Sequence, residues 1–374
     1  MSSAFTPEAA AALAGSDALV ARRRAAAERF AGAPLPTAEQ EVWRYSRIGD
    51  LRLEGRRPVD PSAVPAPSSA VADARARMTD ADVVVVTVDG VVVDVSPAAG
   101  HGAIRVIDTP GGDGSALGAA LDRAFDAGPD PLRDLHDAFC QPVELAVDAG
   151  ADAGRIVVIH EFTDLDSISF PRLVVTAGDN ARATVTEVFL SPEDAATLSF
   201  PVTELVVGRD ATLQHASLQV LGNRSWSIGR LASIVDANGT VRAGTAAFGS
   251  DYSRLRVDTV LDGRGAEGEL FAGYFGTGEQ LLDFRTFQDH AAPDTTSNLL
   301  FKGALADSSA SVYTGLIKIR PEGRGSRAFQ TNRNLKLSAD AFAESVPNLE
   351  IENNEVQCSH ASTVGPVDPE QRFY

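Results

Sequence analysis

From Pro142 onward, short β-rich segments follow one another with turn residues between them, and no long helical pattern interrupts them. Residues 172–176, 183–190, 204–207 and 212–221 are examples. Glycine-bearing turns fall at Gly178, Gly208 and Gly239, 30 and 31 residues apart. That spacing fits a solenoid with several short strands per coil or the hairpins of a sandwich, and periodicity does not choose between them. Length favours the solenoid: about two hundred residues of strand without helical crossovers are many for one sandwich and natural for a parallel β-helix.

Upstream the pattern differs. Residues 7 to about 31 read as helix, alanine-rich and broken once at Gly15-Ser16-Asp17. Pro7 suits a first helical position, and Arg22, Arg23 and Arg24 fall near the polar side. Residues 56 to about 74, rich in Pro, Ser and Ala, read as a linker or long loop. Residues 82–94 predict a β-hairpin with Asp89-Gly90 as its turn. Residues 117–139 return to helical periodicity, interrupted at Gly128-Pro129. The expected organisation is an N-terminal helical region and linker (1–80), a mixed α/β segment (81–141), a β-helix core (142–365) and the start of a truncated C-terminal region (366–374).

A formal net charge of -18 opposes nucleic-acid binding, because phosphate contacts need clustered cations. An anionic membrane surface would repel the chain for the same reason, although such acidity also fits a merely solvated surface. Aromatics at 6% argue against a stacking surface for bases or sugars. No basic leader with an apolar core opens the chain, and no apolar run approaches the roughly 20 residues of a membrane span. Cys140 and Cys358, the two cysteines, build no disulfide framework. The expected location is cytoplasmic.

Cys358 and His360 stand two apart in an extended segment, so both side chains project from one face. Thiolate and imidazole are good ligands for iron or zinc, and Cys–His neighbours can activate sulfur chemistry. Two ligands do not close a metal site, which normally needs four. The pair is either part of a site shared with another chain or no site at all, an isolated cysteine being commonly a buried small hydrophobe. His101, His136, His160, His215 and His290 lie far apart with no metal-ligand spacing and read as polar or core positions. His290, in a polar turn between strands, is a second candidate, and Cys140 reads as packed.

Other chemistries compete. A carbohydrate-active β-helix would use paired carboxylates, and Asp251, Asp258, Asp262 and Asp283 are available. They read as lying in turns or alternating like a solvated face. A plain structural β-solenoid is the further alternative. Gly263-Arg-Gly-Ala-Glu-Gly268 superficially matches G-x-G-x-x-G but has no helix after it to hold an anion. Lys302, Lys318 and Lys336, separated by 16 and 18 residues, would stack on one face if coils had a similar length.

Four strings resemble the SufD family, the non-ATPase scaffold proteins of bacterial iron–sulfur cluster assembly. Glu41-Val-Trp-Arg-Tyr45 resembles the family's E-x-W-R-Y element, and Ser297-Asn-Leu-Leu-Phe-Lys-Gly303 its S-N-Q-x-x-K-G strand. Gln330-Thr-Asn-Arg-Asn-Leu-Lys-Leu-Ser338 resembles its Q-x-N-x-N-L-L-L-S turn and strand. Pro347-Asn-Leu-Glu-Ile351 followed by Val356-Gln-Cys-Ser-His-Ala-Ser-Thr-Val-Gly365 is similar to its P-x-L-E-I … V-K-C-S-H-G-A-T-V-G signature, the most distinctive of the four. SufB, the sister scaffold, carries a sulfur-accepting cysteine in the turn where this chain has Asn332, and an E-H-E string where it has Ser359-His-Ala361. On both counts the chain resembles SufD.

The resemblance implies a right-handed parallel β-helix flanked by helical regions. It implies pairing with a SufB-like paralogue through the C-terminal end of the β-helix, and docking of a SufC-like ATPase on a C-terminal helical domain. A nascent iron–sulfur cluster would form at the SufB–SufD interface, with His360 as a ligand from this side and Cys358 beside it. Sulfur would enter through SufB, ATP hydrolysis by SufC would rearrange the interface, and the cluster would pass to apo iron–sulfur proteins. The chain itself would be a scaffold without enzymatic activity. Reduced flavin is associated with the family's complexes, yet no flavin motif is readable. Two departures stand out. Ala361 replaces the glycine after the histidine, and the chain stops at Gln371-Arg-Phe-Tyr374, where family members continue into the helices that bind SufC. The expectation is an incomplete sequence, which puts SufC engagement by this chain in doubt.

Overall fold

In the computed structural model, which describes residues 4–97, 104–108, 117–123 and 130–366, the β-rich part turns at a recurring corner. One residue per coil takes the left-handed conformation there: Asn180 (φ 59°), Asp210 (55°), Asn238 (55°), Gly265 (71°), Asp294 (60°) and Gly325 (77°). Asn, Asp and Gly tolerate that region far better than bulky residues do. The N–H of each donates to a carbonyl of the next coil: Asn180 to Arg209 at 2.7 Å, Asp210 to Ala237 at 2.9 Å, Asn238 to Arg264 at 2.9 Å. Gly265 continues the ladder to Pro293 at 3.1 Å, Asp294 to Arg324 at 2.8 Å and Gly325 to Glu355 at 2.8 Å.

Between corners the chain alternates between two sheets, so each coil contributes one long strand to each. Tyr252–Leu261 lies parallel between Trp226–Val235 and Leu281–His290 in the first sheet. Glu267–Gly276 lies parallel between Thr240–Gly249 and Thr296–Leu305 in the second. The coil length varies from the Trp226-to-Tyr252 step to the longer Ala310-to-Phe342 step, bracketing the spacing of the turn glycines. The sheets hold twelve and ten strands. Among the described strands, antiparallel pairing is confined to the N-terminal margin, where Val83–Val88 meets Val91–Ser96 and Ile104–Asp108 meets Gln141–Val147. This is the solenoid, not the sandwich.

Alternation points every second side chain inward. The interior is aliphatic through Val185, Leu213, Leu231, Val241 and Leu270, all buried. Toward the C-terminal end it becomes aromatic, with Tyr274–Phe284, Phe284–Phe301 and Phe301–Tyr313 centroids 4.6, 5.6 and 5.6 Å apart. Gly303, in register with Tyr274, makes that possible, since a Cβ there would lie 2.0 Å from the Tyr274 ring.

The outer face of the twelve-stranded sheet is covered by the N-terminal region. Helices Pro7–Ala11 and Asp17–Ala31 begin at Thr6 and Ser16, whose side chains accept from Ala9 and Leu19 N–H, and Asp130 caps Pro131–Phe139. They bury Phe5, Ala26, Phe30, Leu135 and Phe139 against Phe170, Phe200 and Tyr252 of the solenoid. The break between the first two helices and the Asp89-Gly90 turn (φ 51° and 86°) match the sequence reading. Three details correct it. Arg23 does not face solvent: it is buried, and its Nε and Nη2 donate to the Cys140 carbonyl at 3.1 and 2.8 Å. Within the supposed linker, Arg57–Pro58 pairs with Ser167–Ser169, and Ser69–Ala76 forms a helix capped by Ser68. Its alanines favour helix once Ser68 starts it, which a count of Ser and Pro obscures. Of residues 117–139, Pro131–Phe139 is α-helix and Leu121–Arg123 a 3-10 turn; Gly128-Pro129 lies outside the described residues, as does His101. No helix among the described residues is long and apolar enough to cross a membrane.

Gly303→Ala tests the matched packing. The added methyl must displace the Tyr274 ring or the strand, at a cost of about 1–3 kcal/mol. The urea midpoint should fall accordingly, and an unchanged midpoint would show that the interior yields there.

Candidate functional site

In a parallel ladder, inward positions of successive coils stack directly. One column runs His215, Ala243, Leu270, Leu299, Gln330, His360, and its neighbour runs Leu213, Val241, Gly268, Ser297, Ala328, Cys358. Cys358 and His360 are therefore core positions of Gln357–Pro366, the last described strand, which has a single neighbour, Arg327–Lys336. In earlier coils the next coil covers these columns. Here His360 is exposed and Cys358 is half-buried, packed against Ile317, Ile319 and Ala328. The two share one face, as the spacing predicts, about 7 Å apart along the strand. Burial pushes the Cys358 thiol up, so at neutral pH it needs a metal or a cation beside it to become a thiolate ligand.

The layer beneath is polar. Gln330 is 1% exposed, directly under His360, and neither its Oε1 nor its Nε2 has a hydrogen-bond partner. Gly315 leaves room for it, since a Cβ there would lie 2.5 Å from Gln330 Oε1. Beside it the Tyr274 hydroxyl donates to Asn334 Oδ1 at 2.7 Å and accepts from Asn332 Nδ2 at 3.2 Å. Asn332 is thus a buried network member. Among the described residues no three His, Cys, Asp or Glu side chains converge to hold a metal ion. Cys358 and His360 can supply part of a ligand set; the remainder has to come from elsewhere.

Several other positions depart from expectation. His290 is not in a polar turn but ends the strand Leu281–His290, fully buried, with Nδ1 2.7 Å from Thr295 Oγ1 and Nε2 2.8 Å from Ser297 Oγ. Asp258 and Asp283 are not solvated: both are 1% exposed, Asp258 holding Arg230 and Arg256, Asp283 holding Arg254. Asp251 pairs with Arg47 and accepts from the Trp226 indole, while Asp262 pairs with Arg123. The three lysines do not stack: Lys302 and Lys336 lie on the ten-stranded sheet at different register positions, and Lys318 lies on the other sheet, paired with Glu350. Cys140 is packed as expected.

Two buried charge clusters escape a linear reading. Glu187 Oε1 lies 3.1 Å from His160 Nε2, and its Oε2 lies 2.6 Å from His215 Nε2, across sequence separations of 27 and 28. Burial pushes the Glu187 carboxyl up, but the two histidines outweigh it and hold the group down to about 2. His136, Asp137, Arg172 and Glu204 form the second cluster, with Arg172 donating to both carboxylates. The signal that could have found the first is the coil period itself, which both separations match.

Residues 160–374 match the family model described as SUF system FeS cluster assembly, SufBD core domain. The chain is 31% identical over 262 residues to an iron–sulfur cluster assembly SufBD family protein of Mycobacterium leprae, covering 65% of this chain and 59% of that one. To a SufBD family protein of Mycobacterium tuberculosis it is 40% identical over 148 residues, 37% of each chain. To the iron–sulfur cluster assembly protein SufD of Escherichia coli it is 28% identical over 196 residues, 52% of this chain and 46% of that protein. The matched stretches thus span between about a third and three fifths of these relatives' own lengths. The chain belongs to the SufBD core family, whose work is iron–sulfur cluster assembly.

Burial pushes His290 down to about 4 from an ordinary value of 6.5. Because its folded pKa is the lower, the neutral form contributes full stability above pH 6.5, and that contribution is lost as pH falls through 4. The loss amounts to about 3 kcal/mol at most. A pH series of chemical denaturation should show this limb in the parent and a flatter one in His290→Gln; identical slopes between pH 6.5 and 4 would refute the assignment.

Proposed function

We propose that the chain is a SufD-type scaffold subunit, cytoplasmic and without enzymatic activity of its own. It pairs with a SufB-like paralogue through the terminal coil of the solenoid. His360 supplies one ligand from this side to an iron–sulfur cluster assembled at the shared interface. Cys358 stands beside it as an auxiliary ligand that binds once metal lowers its thiol pKa. The observation that carries this reading is the placement of Cys358 and His360 on one face of the strand, with His360 in register with the buried Gln330, whose amide has no hydrogen-bond partner. A two-ligand set gains use when a partner completes it. The cluster is cargo, passed on to apo iron–sulfur proteins, and a SufC-like ATPase drives the rearrangement that releases it. The Asn332 position supports SufD over SufB, since a buried amide there accepts no sulfur.

Co-expression of the tagged chain with SufB-like and SufC-like proteins tests this. A stable heterocomplex carrying iron and acid-labile sulfide is expected, with His360→Ala keeping the fold and the complex but losing most of both. Cys358→Ala should lose less. Unchanged iron and sulfide in His360→Ala would sink the ligand assignment, and a folded chain that purifies alone and metal-free would sink the pairing.

A further inference from the structure

On the outer face of the twelve-stranded sheet, away from the terminal coil, the register lines up arginines. Val202 pairs with Arg172 on one side and Arg230 on the other; Arg230 pairs with Arg256, and Arg256 with Arg285. Adjacent strands lie about 4.8 Å apart, so these like charges stand directly opposite one another, an unfavourable arrangement unless anions meet it. Arg254 projects from the same face two residues before Arg256.

The 3-10 segment Glu41–Trp43 and the helix Pro131–Phe139 roof this column and leave a cavity of about 330 Å³. Five arginines line it, namely Arg133, Arg172, Arg230, Arg254 and Arg256, and Asp130 is the one acidic residue of the described lining. Each of the five is paired: Arg172 with Asp137 and Glu204, Arg230 with Asp258 and Asp130, Arg256 with Asp258, Arg254 with Asp283, and Arg133 with Asp122 and Asp137. The Arg172 side chain is fully buried, and its Nε has no hydrogen-bond partner. Burial, then the nearness of Arg254 and Arg256, pushes the neighbouring Arg285 down to about 10. Apart from Asp130, the charged groups that line the cavity are guanidinium groups, whose carboxylate partners balance their charge but leave N–H donors over. Its remaining wall is apolar, with Trp43, Leu132, Phe200 and Ile228, and the Trp43 ring lies 4.3 Å from the Arg254 guanidinium carbon.

The geometry points to a second site, independent of the terminal coil, that binds a small organic anion with a flat apolar body. The charged group, a carboxylate, sulfonate or phosphate monoester, engages Arg133 and Arg230, and the body lies against Trp43, Phe200 and Ile228. The volume stands at the low end of ligand pockets, roughly 300–1,000 Å³, which suits one ring system with one anionic group and is too small for a dinucleotide. Guanidinium groups are the side chains best matched to such oxyanions, and a partly desolvated chamber strengthens the contact.

Calorimetric titration of the intact chain with naphthalene-2-sulfonate and its neutral counterpart naphthalene-2-methanol tests the site. One sulfonate per chain is expected, with the neutral compound bound at least about tenfold more weakly. Arg133→Gln, at a partly exposed side chain paired with Asp122 and Asp137, leaves the Arg172 pairs to Asp137 and Glu204 in place and should weaken the sulfonate about tenfold. Arg230→Gln should do the same, with its fold followed by circular dichroism. Arg242→Gln removes a cation that pairs with Glu269 on the other sheet, and should leave binding unchanged. Absence of saturable binding, equal affinity for the two compounds, or full affinity retained in Arg133→Gln would each overturn the proposal.

Discussion

The left-handed corner and its ladder of hydrogen bonds set the register on which everything else in this solenoid depends. Each corner residue hands its N–H to the next coil, so every coil begins at the same phase. A slip of one residue would turn every inward side chain outward. Because no slip occurs from Thr184 onward, residues about one coil apart in sequence become direct neighbours, and columns of equivalent positions run along the solenoid. The charged clusters, the aromatic core and the candidate site are all consequences of which residue each column carries.

The interior columns change character along the axis. Aliphatic side chains dominate where the solenoid begins, while Tyr274, Tyr313, Gln330, Asn332 and Asn334 gather beneath the last coil. Each buried polar atom left unpaired costs about 1–3 kcal/mol, and Gln330 carries two of them. Gly303 and Gly315 belong to the same arrangement, since each gives up its own side chain so that Tyr274 or Gln330 fits. A core built for stability alone would place an aliphatic residue at Gln330. The polar layer instead brings hydrogen-bonding capacity to the face where His360 is exposed.

The sequence disclosed this architecture unevenly, and the reason is the range of the forces involved. Local signals were legible: Thr6-Pro7 starting a helix, Asp89-Gly90 closing a hairpin, the turn glycines marking the coil. The facing of Cys358 and His360 was legible too, because strand alternation decides it. What depended on contacts one coil away was not. His160, Glu187 and His215 look unrelated in sequence, and Asp258 and Asp283 look like a solvated face until the N-terminal region is laid over them. Arg23 and the helix Ser69–Ala76 were misread because composition alone counts an arginine as exposed and a serine-proline run as loop.

That covering region gives Glu41-Val-Trp-Arg-Tyr45, one of the four strings that resemble the family, a structural role although it lies outside the solenoid. The Glu41 carbonyl accepts from Arg285 at 3.3 Å, the Val42 carbonyl accepts from Arg254, and the Trp43 ring faces the Arg254 guanidinium. Tyr45 bends the chain away with φ 65°. The string is thus fitted to the arginine column: two backbone oxygens and a π-face, all electron-rich, laid on cations that the register forces together. Parallel stacking creates the repulsion, buried carboxylates relieve part of it, and the string relieves more through its carbonyls, its indole face and the Glu41 carboxylate near Arg285. A bare apolar cap would leave the guanidinium donors unpaired and desolvated, so the chemistry of this short segment follows from the sheet it covers.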